Sequence, residues 1–176
     1  NIQGPLGKGF DTGVKDKTAV IIGGGIGLAP LKQLINNIKE GNRIVFIAGG
    51  RDIEALKILE NFDIENVDVR ICSDDGSTGE KAFVTELLEN YLEKGAADII
   101  YTCGPHIMME KISEIAEKNN IHCEVSMEER MACGVKACVG CSIKTKTGMK
   151  KVCHDGPVFD SKIIIKNAPY TEGETC

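Results

Sequence analysis

Between residues 18 and 127 of this 176-residue chain, two hydrophobic periods alternate, and this narrows the possible folds more than any other feature. Residues 18–23, 43–48, 67–72, 98–102 and 122–126 are short apolar or alternating runs rich in Val and Ile, the pattern of strands. Between them the apolar positions recur three and four apart, as on one face of a helix. They are Leu28, Leu31, Leu34, Ile35 and Ile38, then Ile53, Leu56, Leu59 and Phe62. Next come Phe83, Val84, Leu87, Leu88, Tyr91 and Leu92, and finally Ile107, Met108, Ile112 and Ile115. Strands joined through helices must pair in parallel, and right-handed crossovers place helices on both faces. The expected fold is α/β, a doubly wound parallel five-stranded sheet. After Met127 the alternation stops. Residues 141–146, 149–153 and 162–166 predict a small antiparallel, Cys-rich C-terminal lobe whose hydrophobic pattern is separate from that of the sheet.

Composition excludes several classes of function. The formal net charge is -5, aromatic residues make up 5% and Trp is absent, so neither a basic footprint nor a stacking platform for nucleic acid is present. No run approaches the ~20 apolar residues that cross a bilayer, and the first residues lack the features of a signal peptide. No nucleic acid and no membrane is the expectation. Four of the eight cysteines fall between Cys133 and Cys153, a grouping that suits a metal site in a reducing cytoplasmic setting better than a secreted disulfide framework. Cys72 and Cys123 lie in strand patterns and predict small packing residues. No histidine pairs with a nucleophile, so hydrolytic chemistry has no support.

A glycine turn follows the first strand: Gly23, Gly24, Gly25, Gly27 and Pro30. At that place in a doubly wound sheet, glycines let the backbone approach a pyrophosphate, whose charge the helix N-terminus stabilises. Pro30 stands where a third glycine is usual, and the first turn of a helix accepts it. Asp75 and Gly76 follow the third strand, and Cys103, Gly104 and Pro105 the fourth, so both loops predict walls of the same crevice. After the second strand, Asp52 suits a free ribose 2′-hydroxyl and Arg51 a 2′-phosphate, which leaves NAD and NADP both open.

The cysteines are spaced Cys133-x4-Cys138-x2-Cys141-x11-Cys153. The first three follow the C-x4-C-x2-C spacing of plant-type [2Fe–2S] sites, with Gly134 and Gly140 expected to ease the wrapping of the loop. A tetrahedral zinc site is the alternative, although only Cys138-x2-Cys141 forms a zinc knuckle.

These segments resemble a known family. Residues 4–10, 23–30, 74–79 and 103–105 are similar to signatures of the ferredoxin–NADP reductase superfamily. Residues 126–141 and 152–159 resemble the electron-transfer subunits of NAD-dependent (type 1B) dihydroorotate dehydrogenases. The resemblance implies a relay in pyrimidine biosynthesis: dihydroorotate is oxidised on the FMN of a partner catalytic subunit, and a [2Fe–2S] cluster and FAD carry electrons to NAD. It implies cluster ligation by Cys133, Cys138, Cys141 and Cys153, and a heterotetrameric assembly. In that family an FAD-binding barrel precedes the nucleotide domain, and this chain starts where the barrel would finish. The expectation is a fragment, with FAD belonging to the longer subunit. The expected parts are residues 1–13 as the junction of the flavin domain, 14–127 as the NAD-binding domain, 128–167 as the cluster-binding lobe and 168–176 as a tail. Two alternatives remain: a reductase subunit for sulfide, sulfite or ferredoxin, and a zinc-stabilised nucleotide-binding module without redox chemistry.

Overall fold

The computed structural model describes residues 4–165. Five parallel strands, β1 (Thr18–Gly24), β2 (Arg43–Gly50), β3 (Asp68–Ser73), β4 (Ile99–Cys103) and β5 (His122–Ser126), stand in the order β3-β2-β1-β4-β5. The central strands are apolar on both faces because both are covered. Ile21, Phe46, Ala48 and Tyr101 face α1 (Leu28–Ile38) in one buried cluster. Val20, Ile22, Val45 and Ile100 face the other way, into a second cluster. This second layer holds Leu87 and Leu88 of α3 (Val84–Leu92) and Met109 and Ile112 of α4 (His106–Lys118), whereas the short α2 (Ile53–Leu56) lies after β2. The chain order reverses on either side of β1, whose neighbours are β2 and β4. A crevice therefore opens at their C-terminal ends, the place where open α/β sheets take ligands.

The helices depart from the sequence expectation where local chemistry shifts their phase. The second helix stops after four residues and continues as a 3-10 turn over Lys57–Asn61. Phe83 is the residue before α3 rather than part of its buried face. Its N–H donates to Glu86 Oε1 at 3.2 Å, which closes the helix start and leaves the ring exposed. α4 buries Met109, Ile112, Ser113 and Ala116, so Ile107 faces outward at 69% exposure.

The C-terminal lobe is a hairpin, β6 (Ser142–Thr145) against β7 (Gly148–Lys151), followed by one turn, α5 (Val152–Asp155). β8 (Val158–Asp160) then adds antiparallel to β5, pairing Val125 with Phe159. The sheet is thus six-stranded, not five-stranded: three residues are too few for a hydrophobic period to show, and the pairing is set by the tertiary contact. The strand expected over 162–166 is instead a 3-10 turn, Ser161–Ile163, with Asp160 accepting from the Lys162 N–H at 2.9 Å. An isolated bridge, Thr145 to Ile164, joins it to the hairpin, and residue 166 lies outside the described residues. Cys141, Val152, Cys153 and Phe159 enter the same buried cluster as β1 and α4, so the lobe shares its core with the sheet.

Residues preceding β1 tie the two parts further. The Phe10 ring meets Tyr101 edge-on at 5.5 Å, and the Tyr101 hydroxyl donates to the Asp11 carbonyl at 2.7 Å. The Val158 N–H donates to the Lys8 carbonyl at 3.2 Å. Among the described residues, no helix is long and apolar enough to cross a membrane.

Candidate functional site

At the crevice lies a cleft of about 460 Å³, walled by Gly24, Gly25, Gly49, Gly50, Arg51, Ala55, Cys72, Asp74, Phe83, Val84, Thr85, Pro105, Ile107, Met108 and Lys111. The glycine turn is a short 3-10 segment, Gly25–Gly27, that leads from β1 into α1. Its glycines do different work. Gly25 has φ 56° and open space where a Cβ would stand, so it presents backbone to the cleft. Gly27 is a packing position, since a Cβ there would stand 2.5 Å from the Cys103 carbonyl group. Gly23 likewise closes against Leu28, and Gly24 against Met108. Gly104 brings the end of β4 beside the Gly24 backbone. Pro30 is exposed in the first turn of α1 and does not line the cleft.

The charged residues also separate. The Asp52 carboxylate accepts from the Ala55 N–H at 2.9 Å, capping α2, and from Arg51 Nε at 3.0 Å. These bonds, the backbone one foremost, hold its pKa below the ordinary value. Asp52 is not among the residues that line the cleft, whereas the neighbouring Arg51 is. Asp75 accepts from the Ser77 hydroxyl and from its N–H at 2.8 Å, which lowers its carboxyl too; Gly76, at φ 78°, completes that turn. Neither lines the cleft, whereas Asp74 does. Burial pushes up the thiol of Cys103, and that of Cys72 to about 11, so both are neutral at pH 7. Sequence reasoning missed Phe83, Ile107, Thr85 and Lys111. It assigned Phe83 and Ile107 to buried helix faces, although Glu86 three residues after Phe83 and Pro105 two before Ile107 signal the true helix starts.

The four clustered cysteines lie in the C-terminal lobe, three on the loop that follows β5 and Cys153 on α5. Cys133 Sγ accepts from the Cys138 N–H at 3.3 Å, and the N–H groups of Val135 and Ala137 also face it. These donors, Cys138 foremost, draw the Cys133 thiol down to about 7, into the range of a metal-binding thiolate. Cys153, on α5, interacts with Cys141, which raises its thiol, and also with the charge of Cys133. The Val152 N–H donates to the Cys141 carbonyl at 3.0 Å and so seats α5 against the loop. The Cys133 and Cys138 side chains interact, as do those of Cys141 and Cys153. Among the described residues, no three His, Cys, Asp or Glu side chains converge on a point that could hold a single ion. All seven described cysteines are free thiols. Gly134 adopts φ 69° as the wrapping requires, but Gly140 does not have positive φ; Lys136 takes the second left-handed position at φ 67°. A soft, all-thiol donor set with backbone N–H groups aimed at sulfur suits an iron–sulfur cluster.

Comparison with known proteins agrees with both halves. The oxidoreductase NAD-binding domain family matches residues 21–114, and the iron–sulfur cluster binding domain of dihydroorotate dehydrogenase B matches residues 128–165. The electron transfer subunit of dihydroorotate dehydrogenase B (NAD(+)) from Caldanaerobacter subterraneus subsp. tengcongensis is 38% identical over 168 residues, which are 93% of this chain and 65% of the relative. Its counterpart in Clostridium perfringens is 40% identical over 166 residues, covering 90% and 63%. A probable counterpart in Methanocaldococcus jannaschii is 42% identical over 159 residues, covering 90% and 60%. The chain therefore spans less than two thirds of the length of these relatives. A solved structure described in a study of flavin-based electron bifurcation by the NADH-dependent reduced ferredoxin-NADP oxidoreductase superimposes with a TM-score of 0.83 at 27% identity. That match covers 94% of this chain and 60% of the other.

Proposed function

This chain belongs to the oxidoreductase NAD-binding domain family, and we propose that it is the nucleotide- and cluster-bearing part of the electron-transfer subunit of an NAD-linked dihydroorotate dehydrogenase. The observation that carries the proposal is the pairing of β8 with β5, which fixes the lobe that carries the four cysteines to the same sheet whose crevice holds the glycine turn. A [2Fe–2S] cluster supplies one-electron transfer, and a nicotinamide dinucleotide supplies hydride uptake. FAD is assigned to the whole subunit, with residues 1–13 as the junction of its flavin domain.

In this reading each part of the chain has a task. Cys133, Cys138, Cys141 and Cys153 would hold the cluster, which would supply one-electron transfer there. The N-terminus of α1 and the bare Gly25 backbone receive the pyrophosphate. Phe83 and Ile107 offer apolar surfaces to the adenine, Asp74 and Arg51 stand at the ribose end, and Cys103 to Pro105 border the nicotinamide end. Met131, Val135, Val139 and Met149 leave apolar side chains exposed around the cysteine loop, a surface suited to the FMN-bearing catalytic subunit in a heterotetramer. Seven free thiols support a reducing, cytoplasmic setting.

The test is reduction of NAD+ by the full-length subunit assembled with its catalytic partner, with dihydroorotate, sulfide and reduced ferredoxin offered as separate donors. Dihydroorotate-dependent reduction is expected. Turnover with ferredoxin or sulfide alone would replace this reading by that of a different reductase subunit.

A further inference from the structure

Lys136 is a left-handed residue, at φ 67°, in a loop where glycine would meet that demand without strain. A tether accompanies it. Lys151 Nζ, at the end of β7, donates to the Lys136 carbonyl oxygen at 2.7 Å, fifteen positions away in sequence. Lys151 is itself anchored, because its backbone N–H donates to Asp155 Oδ2 at 2.8 Å on the turn that carries Cys153.

The peptide plane explains the consequence. In a trans peptide the C=O and the following N–H point to opposite sides of one rigid unit. Holding the Lys136 oxygen on one side therefore aims the Ala137 N–H on the other, and that N–H faces Cys133 Sγ. The Lys136 N–H, on the preceding peptide, faces Cys153. One ammonium group thus orients a peptide that serves Cys133, and steadies the residue that serves Cys153. N–H groups directed at ligand sulfur favour the more negative, reduced state of an iron–sulfur site.

We infer that Lys151 is a positioning residue that raises the reduction potential of the cysteine-held cluster by fixing the 136–137 peptide. This rests on the reading of the loop as a [2Fe–2S] site. Lys151 acts through the Lys136 carbonyl, to which its ammonium group donates.

The experiment is a redox titration of the reduced-cluster EPR signal in the full-length protein and its Lys151→Met, Lys151→Arg and Lys150→Met variants, with iron and sulfide assayed on each. Lys151→Met is expected to move the potential negative by about 59 mV, a tenfold change in the one-electron equilibrium, at unchanged iron content. Lys151→Arg, which keeps a donor, should restore most of the shift. Lys150→Met removes a neighbouring charge without the tether and should shift it by less than half as much. An unchanged potential in Lys151→Met, or an equal shift in Lys150→Met, would overturn the inference. Loss of iron from Lys151→Met would make Lys151 a structural residue of the loop, and would overturn it as well. Absence of iron from the unaltered protein would instead bring down the cluster reading itself, and the inference with it.

Discussion

Gly27 and Cys103 bring the turn after β1 and the end of β4 into backbone contact, so close that a Cβ on Gly27 would stand 2.5 Å from the Cys103 carbonyl group. Two loops far apart in sequence are thereby locked as one rim of the cleft. Gly27→Ala should force these backbones apart and cost about 1–3 kcal/mol of stability, read by urea denaturation. Gly25→Val meets no neighbour but places a β-branched residue at φ 56° beside the cleft. It should weaken NADH binding about tenfold or more, since a displaced backbone loses the phosphate contact, while the cluster spectrum is unchanged. Equal NADH affinity by calorimetry would show that the turn holds no pyrophosphate.

Asp52 separates two roles that its sequence position could have served. Because its carboxylate caps α2 and binds Arg51, Asp52→Ala should lower the thermal midpoint by about 2–4 °C and leave NADH affinity within about twofold. The carboxyl has its pKa lowered in the folded state. Its stabilising contribution is therefore present above the ordinary value of 3.8 and lost as pH falls through the lowered value. Melting curves of the two proteins should converge in acid. A loss of NADH affinity without a fall in midpoint would assign Asp52 to the ribose instead.

Phe83 contributes little to the core at 63% exposure, yet its ring borders the cleft. Phe83→Ala should weaken NADH binding about tenfold, the scale of one lost base–aromatic contact, with the melting temperature almost unchanged. Coincident losses of stability and affinity would point to packing rather than stacking.

Among the cysteines, position in the core predicts different outcomes. Cys138 is half-buried in the loop, and Cys138→Ser should remove iron while far-UV circular dichroism keeps its folded shape. Cys141 is 2% exposed and belongs to the core shared with the sheet. Cys141→Ser should remove iron and also destabilise the protein by about 1–3 kcal/mol, the cost of a buried hydroxyl left without a partner. Equal stability of the two variants would show that the lobe is not built into the sheet's core.

Most of the sheet was legible because β1, β2 and β4 are covered on both faces, and that requirement writes itself as continuous apolar runs. The cluster-binding segment was marked by its cysteine spacing, and the family match over residues 128–165 covers that segment. What escaped the sequence depends on partners distant along the chain. β8 has three residues and takes its identity from β5. Gly27 looks like a phosphate glycine until the Cys103 backbone is seen against it. Phe83 and Ile107 match helical spacing, and only the point where each helix starts turns them toward the cleft. Asp52 and Asp75 sit at the expected strand ends, but local N–H groups claim their carboxylates, and the neighbouring Arg51 and Asp74 form the wall.

The central claim, that one chain couples a [2Fe–2S] site to a nicotinamide cleft, is tested most directly by the visible spectrum of anaerobically purified protein, with iron and acid-labile sulfide assayed on the same sample. The account predicts a red-brown protein with broad bands between about 400 and 600 nm and roughly two irons and two sulfides per chain. A colourless protein that carries zinc in place of iron would contradict it.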